Sequence, residues 1–380
     1  MRLFRTLFTA CLLLAVSLTA TAIPAKAGAP NFRRLDAVMQ EAVNDGVFPG
    51  ASLAVIYKAK TVYHKAFGNL TYNLKDPVAD TTTIYDAASL TKAVVTTSII
   101  MQLVERDSLD LHAPVAKYLP GFACNGKKQI TIEQLMRHTS GLRPHVFYAK
   151  TCCTPGEVYR AIEQDSLIYK PGSKTKYSDL NFILLGRIIE KVTGQSLPAN
   201  FHARFSEPLG MKSTMFNPPS KLLPRIAPTA PDTTWTLPTP RPLVNDQNAA
   251  LLGGAAGHAG LFTTTGDLMK MVRMLMNGGR YRGRQYIKTT TVRMFLKKTD
   301  APRALGWDLV TPGHSSAGQY FSDTSWGHLG YTGTSIWVDP KRHLTVILLS
   351  NRVWPTEENI KIRKFRPLLH DTVIECLRSG

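Results

Sequence analysis

The sequence predicts an α/β (α+β) protein in which both chain ends build an antiparallel sheet flanked by helices, with a mostly helical domain inserted between them. Two β-rich runs near the start, at 50–57 and 61–67, flank a Lys-Ala-Lys turn and indicate a hairpin. Near the other end, the apolar run at 344–349 indicates a buried strand, and apolar residues recur at helical spacing from Thr356 onward. Pairing of these end segments in one sheet leaves the rest of the chain as an insertion.

The middle of the chain carries the start and stop signals of helices. Eight prolines between Pro218 and Pro242 also indicate one long irregular segment. The predicted helices are 132–138 capped by Thr131, 181–192 stopped by Gly194, and a third that is capped by Thr265 and ends before Asn277. The predicted domains are a sheet domain at 28–80 and 300–380 and a helical domain at 81–299.

The first 27 residues have the pattern of a secretory signal peptide. Arg2 and Arg5 precede an apolar run at 7–18, and Ala25-Lys26-Ala27 places small residues at the cleavage positions. We therefore expect a periplasmic or secreted protein whose mature chain is 28–380. An uncleaved apolar run would instead remain as a membrane anchor.

The chain is strongly basic, with a formal net charge of +19. Loss of residues 1–27 would remove three positive charges and no negative one, so the mature chain stays basic. The expected partners of such a surface are anionic envelope polymers or membrane head groups, through peripheral contact. Nucleic acid is not predicted as a partner, because the Lys and Arg residues are scattered and no recognition motif accompanies them.

Four cysteines follow the signal: Cys124, Cys152, Cys153 and Cys376. An oxidising compartment permits disulfides, and one of the adjacent pair could join Cys124, but the sequence leaves the pairing of the four cysteines open. The sequence contains neither a CxxC nor an HExxH pattern, so no metal site is predicted.

The motif Ser89-Leu90-Thr91-Lys92 begins an apolar helix whose pattern ends at Glu105. Residues three apart share a helix face, so the Lys92 amine can lie against the Ser89 hydroxyl. The unpaired amides at a helix start also favour developing negative charge. The sequence therefore indicates a serine nucleophile that is activated without histidine.

Two further polar groups accompany this motif. Tyr177-Ser178-Asp179 follows a Pro-Gly turn and precedes an apolar helix, so its phenol can share a proton with Lys92 and Ser89. His328-Leu329-Gly330 opens a glycine-rich segment, where a β-edge without a side chain would let a substrate approach closely.

In this order, Ser89-x-x-Lys92, Tyr177-x-Asp179 and His328-x-Gly330 resemble the motif set of the serine β-lactamase and penicillin-binding protein superfamily. The Tyr-x-Asp motif is similar to that of the branch with class C β-lactamases, D,D-carboxypeptidases and related esterases. The resemblance extends through Pro49-Gly50-Ala51, the segment 138–142, the segment 257–262 and Gly306-Trp307. It implies a β-lactamase/transpeptidase-like fold for essentially all of the mature chain.

The resemblance also implies the role of each residue. Ser89 would attack a carbonyl and form an acyl-enzyme, and Lys92 and Tyr177 would share the general-base and general-acid work. The Ser89 and Tyr331 amides would form the oxyanion hole, with Asp179, His328 and Gly330 beside the substrate. No metal or organic cofactor is implied.

Two positions depart from the class C pattern. Asp179 replaces an asparagine; it cannot donate to a substrate carbonyl, and it could instead hold Lys92 charged and push the base work towards Tyr177. His328-Leu329-Gly330 replaces Lys-Thr-Gly, so a titratable imidazole stands where a permanent cation would grip a substrate carboxylate. Efficient β-lactam hydrolysis is therefore not expected, and His328 is an additional candidate for the proton relay.

Three functions follow from these residues. The first is a hydrolase of peptidoglycan-type D-peptides, similar to D-Ala-D-Ala carboxypeptidases, and the second is a β-lactamase or an esterase or amidase of small substrates with the same site. The third is a non-hydrolytic penicillin-binding sensor or scaffold, against which the intact Ser89, Lys92 and Tyr177 argue. His138 and His258 are interpreted as structural; Asp246 and Asn248 could line the pocket or tie down the proline-rich segment, and the structural role is favoured.

Overall fold

The computed structural model describes residues 30–231, 243–299, 301–311 and 313–378. The predicted signal peptide at 1–27 and the last part of the proline-rich segment lie outside these residues. No helix in the described ranges is long and apolar enough to cross a bilayer.

Within the described ranges, strands and helices follow one another in mixed order. The strands are β1 (Gly50–Tyr57), β2 (Lys60–Gly68), β3 (Tyr85–Asp86), β4 (Met215–Phe216), β5 (Leu261–Thr263), β6 (Arg280–Tyr281), β7 (Arg284–Gln285), β8 (Asp308–Leu309), β9 (Trp326–Leu329), β10 (Ser335–Asp339) and β11 (Leu344–Ser350). The α-helices are α1 (Arg33–Asn44), α2 (Ser98–Glu105), α3 (Ile132–Met136), α4 (Pro155–Gln164), α5 (Asp179–Thr193), α6 (Leu197–Phe201), α7 (Gln247–Leu251), α8 (Thr265–Met276), α9 (Thr289–Leu296) and α10 (Ile362–Arg378). Two π-helical segments, Lys92–Thr97 and His202–Ser206, adjoin α2 and α6. Four 3₁₀ turns are Val115–Lys117, Pro120–Ala123, Tyr148–Lys150 and Ser220–Arg225.

The main sheet has six antiparallel strands in the order β2-β1-β11-β10-β9-β8. The first two form the predicted hairpin, whose turn residues Lys58 and Ala59 both have positive φ, as a two-residue hairpin turn requires. Strand β1 from the start of the chain pairs with strand β11 from its end, and Leu53 lies opposite Leu348. Both chain ends therefore contribute to one sheet, as the sequence predicts.

Helices cover both faces of this sheet. Leu53 and Val55 belong to a cluster with residues of α1 and α10, whereas the intervening Ala54 belongs to the larger core on the opposite face. On that face α8 packs against β1 and β11, although it comes from the middle of the chain. The segment 81–299 thus supplies the helix that packs on one face of the sheet as well as the helices around α5. The predicted division into a sheet domain and a helical domain stays a prediction.

Two helix starts differ from the sequence prediction. The cap of α8 is Thr264, whose hydroxyl accepts from the Asp267 amide, and not Thr265. The Thr265 hydroxyl instead lies 2.8 Å from both Ser52 Oγ and His64 Nε2 and ties the helix to the sheet. The last helix begins at Ile362 rather than Thr356.

The bridge that the sequence allows between Cys124 and one of the adjacent cysteines does not form in the structure. Cys124, Cys152, Cys153 and Cys376 are all free. The Cys124 thiol donates to the backbone oxygen of Glu163 at 2.8 Å instead.

Candidate active site

Ser89 lies in a strained turn between β3 and the helix that begins at Leu90. The preceding residue, Ala88, has φ +47, a conformation that non-glycine residues rarely adopt. Asp86 holds this turn, since its carboxylate accepts from the amides of Ala88 (2.8 Å) and Asn245 (2.7 Å). Burial raises the pKa of Asp86 to about 6. Sequence analysis missed this residue, because a single aspartate at a strand end carries no distinguishing pattern.

The Lys92 ammonium is fully buried and uses all three of its donor sites. Nζ lies 2.9 Å from Ser89 Oγ, 3.0 Å from the His258 carbonyl oxygen and 2.7 Å from Asp179 Oδ1. Burial alone would lower the pKa of Lys92, but Asp179 and Tyr177 hold it above its usual value. Asp179 therefore keeps Lys92 charged, as the departure from asparagine predicts.

Tyr177 is positioned by a stack of rings and cations. Its ring lies 4.5 Å from the His138 ring, with Lys92 Nζ 5.0 Å and the Arg303 guanidinium 5.1 Å from its centroid. Ser89 and Lys92 both act on its hydroxyl, and burial raises the pKa of Tyr177, so the resting group is a neutral phenol. The three predicted catalytic residues thus meet at one point.

His138 supports this phenol through the backbone. It adopts φ +58, and its Nδ1 accepts from the amide of Ser178, the residue after Tyr177, at 3.0 Å. Nδ1 can accept a hydrogen bond only as the deprotonated nitrogen of a neutral ring, and burial lowers the pKa of His138 well below its ordinary value. The structural interpretation of His138 is confirmed.

His145 is a further residue that the sequence does not reveal. Its Nδ1 lies 3.3 Å from Asp179 Oδ2, and this hydrogen bond raises the pKa of the imidazole. The Asp179 amide donates to the Pro144 carbonyl at 2.8 Å, which brings this loop to the site. The contact spans 34 positions, and no periodic pattern or motif connects the two residues.

The structure places His328 away from the position expected of a substrate contact. Its side chain is buried behind the cavity, and its Nδ1 donates to the Leu329 carbonyl at 2.8 Å. Burial, with Arg303 and Lys92 nearby, lowers its pKa to about 4, so the ring is neutral at physiological pH. Its Nε2 has no hydrogen-bond partner within the described residues. His328 is therefore not a cationic contact in the resting site, and its part in a proton relay stays a prediction.

Gly330 and Tyr331 form the turn between β9 and β10. A Cβ at Gly330 would overlap Thr334 Oγ1 and lie 2.6 Å from the Ala87 carbonyl, so glycine is needed for docking against the Ser89 segment rather than for substrate approach. Thr334 Oγ1 also donates to that Ala87 carbonyl at 3.0 Å. Across the described chain, neither the Ser89 nor the Tyr331 amide donates to a protein acceptor, which leaves both open as oxyanion-hole donors.

These groups open onto a cavity of about 350 Å³. Ser89, Tyr177 and Tyr331 line it, and its acidic and basic side chains are His145, Asp179, Asp246 and Glu357. No lysine or arginine of the described residues lines it. On these walls, His145 is therefore the side chain that could present a positive charge to a substrate carboxylate when it is protonated.

Asp246 and Asn248 hold the wall of the cavity. Asp246 caps α7 through the Ala249 amide and lies 2.9 Å from His258 Nε2, so it both lines the cavity and fixes the loop whose carbonyl binds Lys92. Asn248 accepts from the Tyr148 amide at 3.0 Å and does not line the cavity, as its structural interpretation predicts. Within the described ranges, no cluster of His, Cys, Asp or Glu has the arrangement of a metal site.

Known proteins resemble this chain in sequence and in fold. The family profile described as Beta-lactamase matches residues 35–369. A protein of Escherichia coli (strain K12) named "Putative D-alanyl-D-alanine carboxypeptidase" is 34% identical over 370 residues, covering 87% of this chain and 84% of its own.

Two solved structures share the fold. A penicillin-binding protein homologue from Caulobacter crescentus superimposes with a TM-score of 0.70 at 20% identity, covering 91% of this chain and 97% of its own. EstCE1, described as a hydrolase with promiscuous acyltransferase activity, superimposes with a TM-score of 0.70 at 21% identity, covering 88% and 98%. The chain belongs to the beta-lactamase family and is a serine hydrolase of that family.

Proposed function

We propose that this protein is an exported hydrolase that forms an acyl-enzyme on Ser89 and acts on peptidoglycan-type D-peptides, with D-Ala-D-Ala carboxypeptidase-like chemistry. The observation that carries the proposal is that Ser89, Lys92 and Tyr177 meet at one point, next to the Ser89 and Tyr331 amides that donate to no protein acceptor in the described chain. The name of the Escherichia coli relative and the basic composition of the chain, suited to an anionic envelope, support the substrate class.

The charges of the site indicate how protons move during acylation. Lys92 is an ammonium and Tyr177 a phenol, so neither is a free base at rest. As Ser89 Oγ bonds to the substrate carbonyl carbon, its proton passes to the Tyr177 oxygen while the phenol proton passes to the leaving group. The Lys92 ammonium stabilises the phenolate character that develops, and the two open amides stabilise the oxyanion. In deacylation, a water oxygen attacks the acyl carbon and a water proton passes to the Tyr177 oxygen. The phenol proton passes to Ser89 Oγ as the ester bond breaks, which releases the carboxylic acid product and restores Ser89.

A second candidate is a hydrolase of small neutral esters or amides. It is favoured by the absence of lysine and arginine from the described cavity walls, because a carboxylate-ended peptide or penicillin gains most from a permanent cation. Both candidates use the same acyl-enzyme.

The separating experiment uses two probes on the purified mature protein: a fluorescent penicillin and an active-serine phosphonate. Adducts are followed over time and mapped by mass spectrometry. A penicillin adduct on Ser89 supports the D-peptide function, whereas phosphonate labelling without a penicillin adduct or penicillin turnover supports the ester or amide hydrolase. Absence of both labels would contradict both candidates.

Replacement of Asp179 by asparagine should change the pH dependence of the reaction. Loss of the carboxylate removes the attraction that raises the pKa of Lys92, so a neutral lysine base becomes available at lower pH. The rise of kcat/KM with pH should therefore begin at a lower pH in Asp179→Asn. The asparagine amide can also donate to a substrate carbonyl, so activity on amides should rise relative to esters.

The control for this variant is His145→Gln, which removes the imidazole on the other side of Asp179 but keeps the Lys92–Asp179 pair. Its pH profile should change less than that of Asp179→Asn. An Asp179→Asn profile that overlays the wild type, with an unchanged amide-to-ester ratio, would show that Asp179 does not set the charge of Lys92.

A further inference from the structure

Two buried arginines lie behind the turn that carries the Tyr331 amide. Arg366 of α10 donates from Nη2 to the carbonyls of Gly330 (2.7 Å) and Thr334 (2.8 Å). Arg352 donates from Nε to the carbonyl of Tyr331 itself at 2.7 Å. Both side chains are almost inaccessible to solvent. Guanidinium groups thus hold the carbonyl on each side of the Tyr331 amide.

The Gly330 carbonyl has a direct geometric link to the oxyanion hole. It belongs to the same peptide unit as the Tyr331 N–H, and in a planar trans peptide the C=O and N–H bonds point in opposite directions. Because Arg366 binds the carbonyl from the interior, the N–H is directed away from α10. That N–H has no protein acceptor in the described chain, and the Tyr331 residue lines the cavity with Ser89.

The turn alone holds this peptide weakly. Within the turn, the Gly333 amide donates to the Gly330 carbonyl at 3.2 Å, and Gly333 adopts φ +106. The hydrogen bond from Arg366 to the Gly330 carbonyl is shorter than that from the Gly333 amide and is charge-assisted. Charge-assisted hydrogen bonds are about twice as strong as neutral ones. A cation on the carbonyl also polarises the peptide, which strengthens its N–H as a donor.

The charge of Arg366 persists at neutral pH. Burial, with Arg352 and Arg363 nearby, lowers its pKa to about 9, which still leaves the guanidinium protonated at pH 7. The Arg366 Nε has no hydrogen-bond partner among the described residues, so this buried cation donates its side-chain hydrogen bonds there to the Gly330 and Thr334 carbonyls.

We propose that Arg366 is a positioning residue for the oxyanion hole: from the C-terminal helix it fixes the Gly330–Tyr331 peptide so that the Tyr331 N–H faces the oxygen of the tetrahedral intermediate. This proposal rests on the acyl-enzyme function proposed for Ser89. Arg366 does not touch the substrate, so its loss should weaken transition-state binding more than substrate binding.

The test compares Arg366→Met with Arg363→Met, an exposed arginine on the same helix. Steady-state hydrolysis of a neutral p-nitrophenyl ester gives kcat and KM, and inhibition by an aryl boronic acid reports binding of a tetrahedral adduct. In Arg366→Met we expect kcat to fall about 10- to 100-fold, since removal of an oxyanion donor typically lowers kcat about 10²- to 10³-fold and displacement is a partial loss. KM should stay within about twofold, and the boronate inhibition constant should rise in parallel with the fall in kcat. Arg363→Met should match the wild type in all three.

Rescue of an Arg366 variant by added guanidinium distinguishes a role in positioning the Gly330–Tyr331 peptide from a general contribution to the stability of the fold. In Arg366→Ala, millimolar guanidinium should restore part of kcat, whereas the same concentration of sodium chloride should not. If Arg366→Met folds poorly, Arg366→Gln, which retains a neutral donor, serves in the same comparison and should show an intermediate kcat.

Two outcomes would overturn the positioning role. One is an Arg366 variant with wild-type melting temperature and wild-type kcat; the other is a kcat loss without any change in boronate inhibition and without guanidinium rescue. Failure of phosphonate labelling at Ser89 in the wild-type protein would instead overturn the proposed function, so the two failures are distinguishable.

Discussion

Ser89→Ala should lose all covalent labelling by the phosphonate and reduce ester hydrolysis by at least about 10⁴-fold, the scale seen when a serine nucleophile is removed. The physical reason is that the remaining site can bind and polarise a carbonyl but has no oxygen with which to form the acyl-enzyme. Intact-mass analysis after exposure to the probe, together with initial rates, measures both effects.

The fold should survive this change. Ser89→Ala removes the acceptor of one of three Lys92 hydrogen bonds, while the Asp179 and His258 contacts remain, so the loss in unfolding free energy should be about 1 kcal/mol. The melting temperature measures this, and Ser140→Ala is a matched control, since Ser140 is a buried serine that donates to Asn181 at 2.6 Å. A labelled Ser89→Ala protein would exclude Ser89 as the nucleophile.

Lys92→Met should remove activity and also destabilise the protein. The variant leaves Asp179 without its buried cation and leaves the Ser89 and Tyr177 hydroxyls without the ammonium between them. Breaking a buried ion pair typically costs about 3–5 kcal/mol, and the exposure of Asp179 to the cavity and its contact with His145 place the expected cost near about 3 kcal/mol. Ester hydrolysis should fall at least about 10³-fold, because proton transfer and phenolate stabilisation are both lost.

The pH dependence of the destabilisation is informative. In the wild type, burial opposes ionisation of Asp179, but Lys92 keeps its pKa below the ordinary value. The pair therefore adds stability above the unfolded pKa of about 3.9, and this stability is lost as the pH falls through the depressed folded pKa. In Lys92→Met the effect of the ammonium is lost, and burial, the largest influence on Asp179, raises its pKa against the remaining contact with His145, so destabilisation should grow as the pH rises from 4 to 8.

A double variant separates the two effects of Lys92. In Lys92→Met/Asp179→Asn no buried charge is left unpaired, so most of the stability should return, whereas activity should not. Denaturant unfolding at pH 4 and pH 8 measures the free energies. A Lys92→Met protein that is as stable as the wild type at pH 8 would mean that Asp179 is already solvated without its partner.

Much of the architecture could be predicted from local patterns. The β1–β2 hairpin, the strand β11 and the helix stop at Gly194 were predicted because a β-rich or apolar run, a short turn and a glycine C-cap each have a local physical cause. The start of α10 was wrong because Ile360 fits the helical spacing but remains exposed. Spacing indicates which residues can share a face, but it does not say whether a partner surface exists to bury that face.

The sequence by itself determined the chemical groups of this site and the family to which the chain belongs. Ser89 lies in the turn that leads into the helix and Lys92 follows three residues later, so their contact is local and readable from the chain. Only the tertiary structure decided the protonation and orientation of those groups. The contact between Asp179 and His145 joins residues distant in sequence, and so does the contact of Arg366 with the Gly330–Tyr331 peptide. The burial of His328 depends on the packing of whole elements. Electrostatic effects depend on three-dimensional distance and on solvent access, and neither quantity is contained in a local sequence pattern.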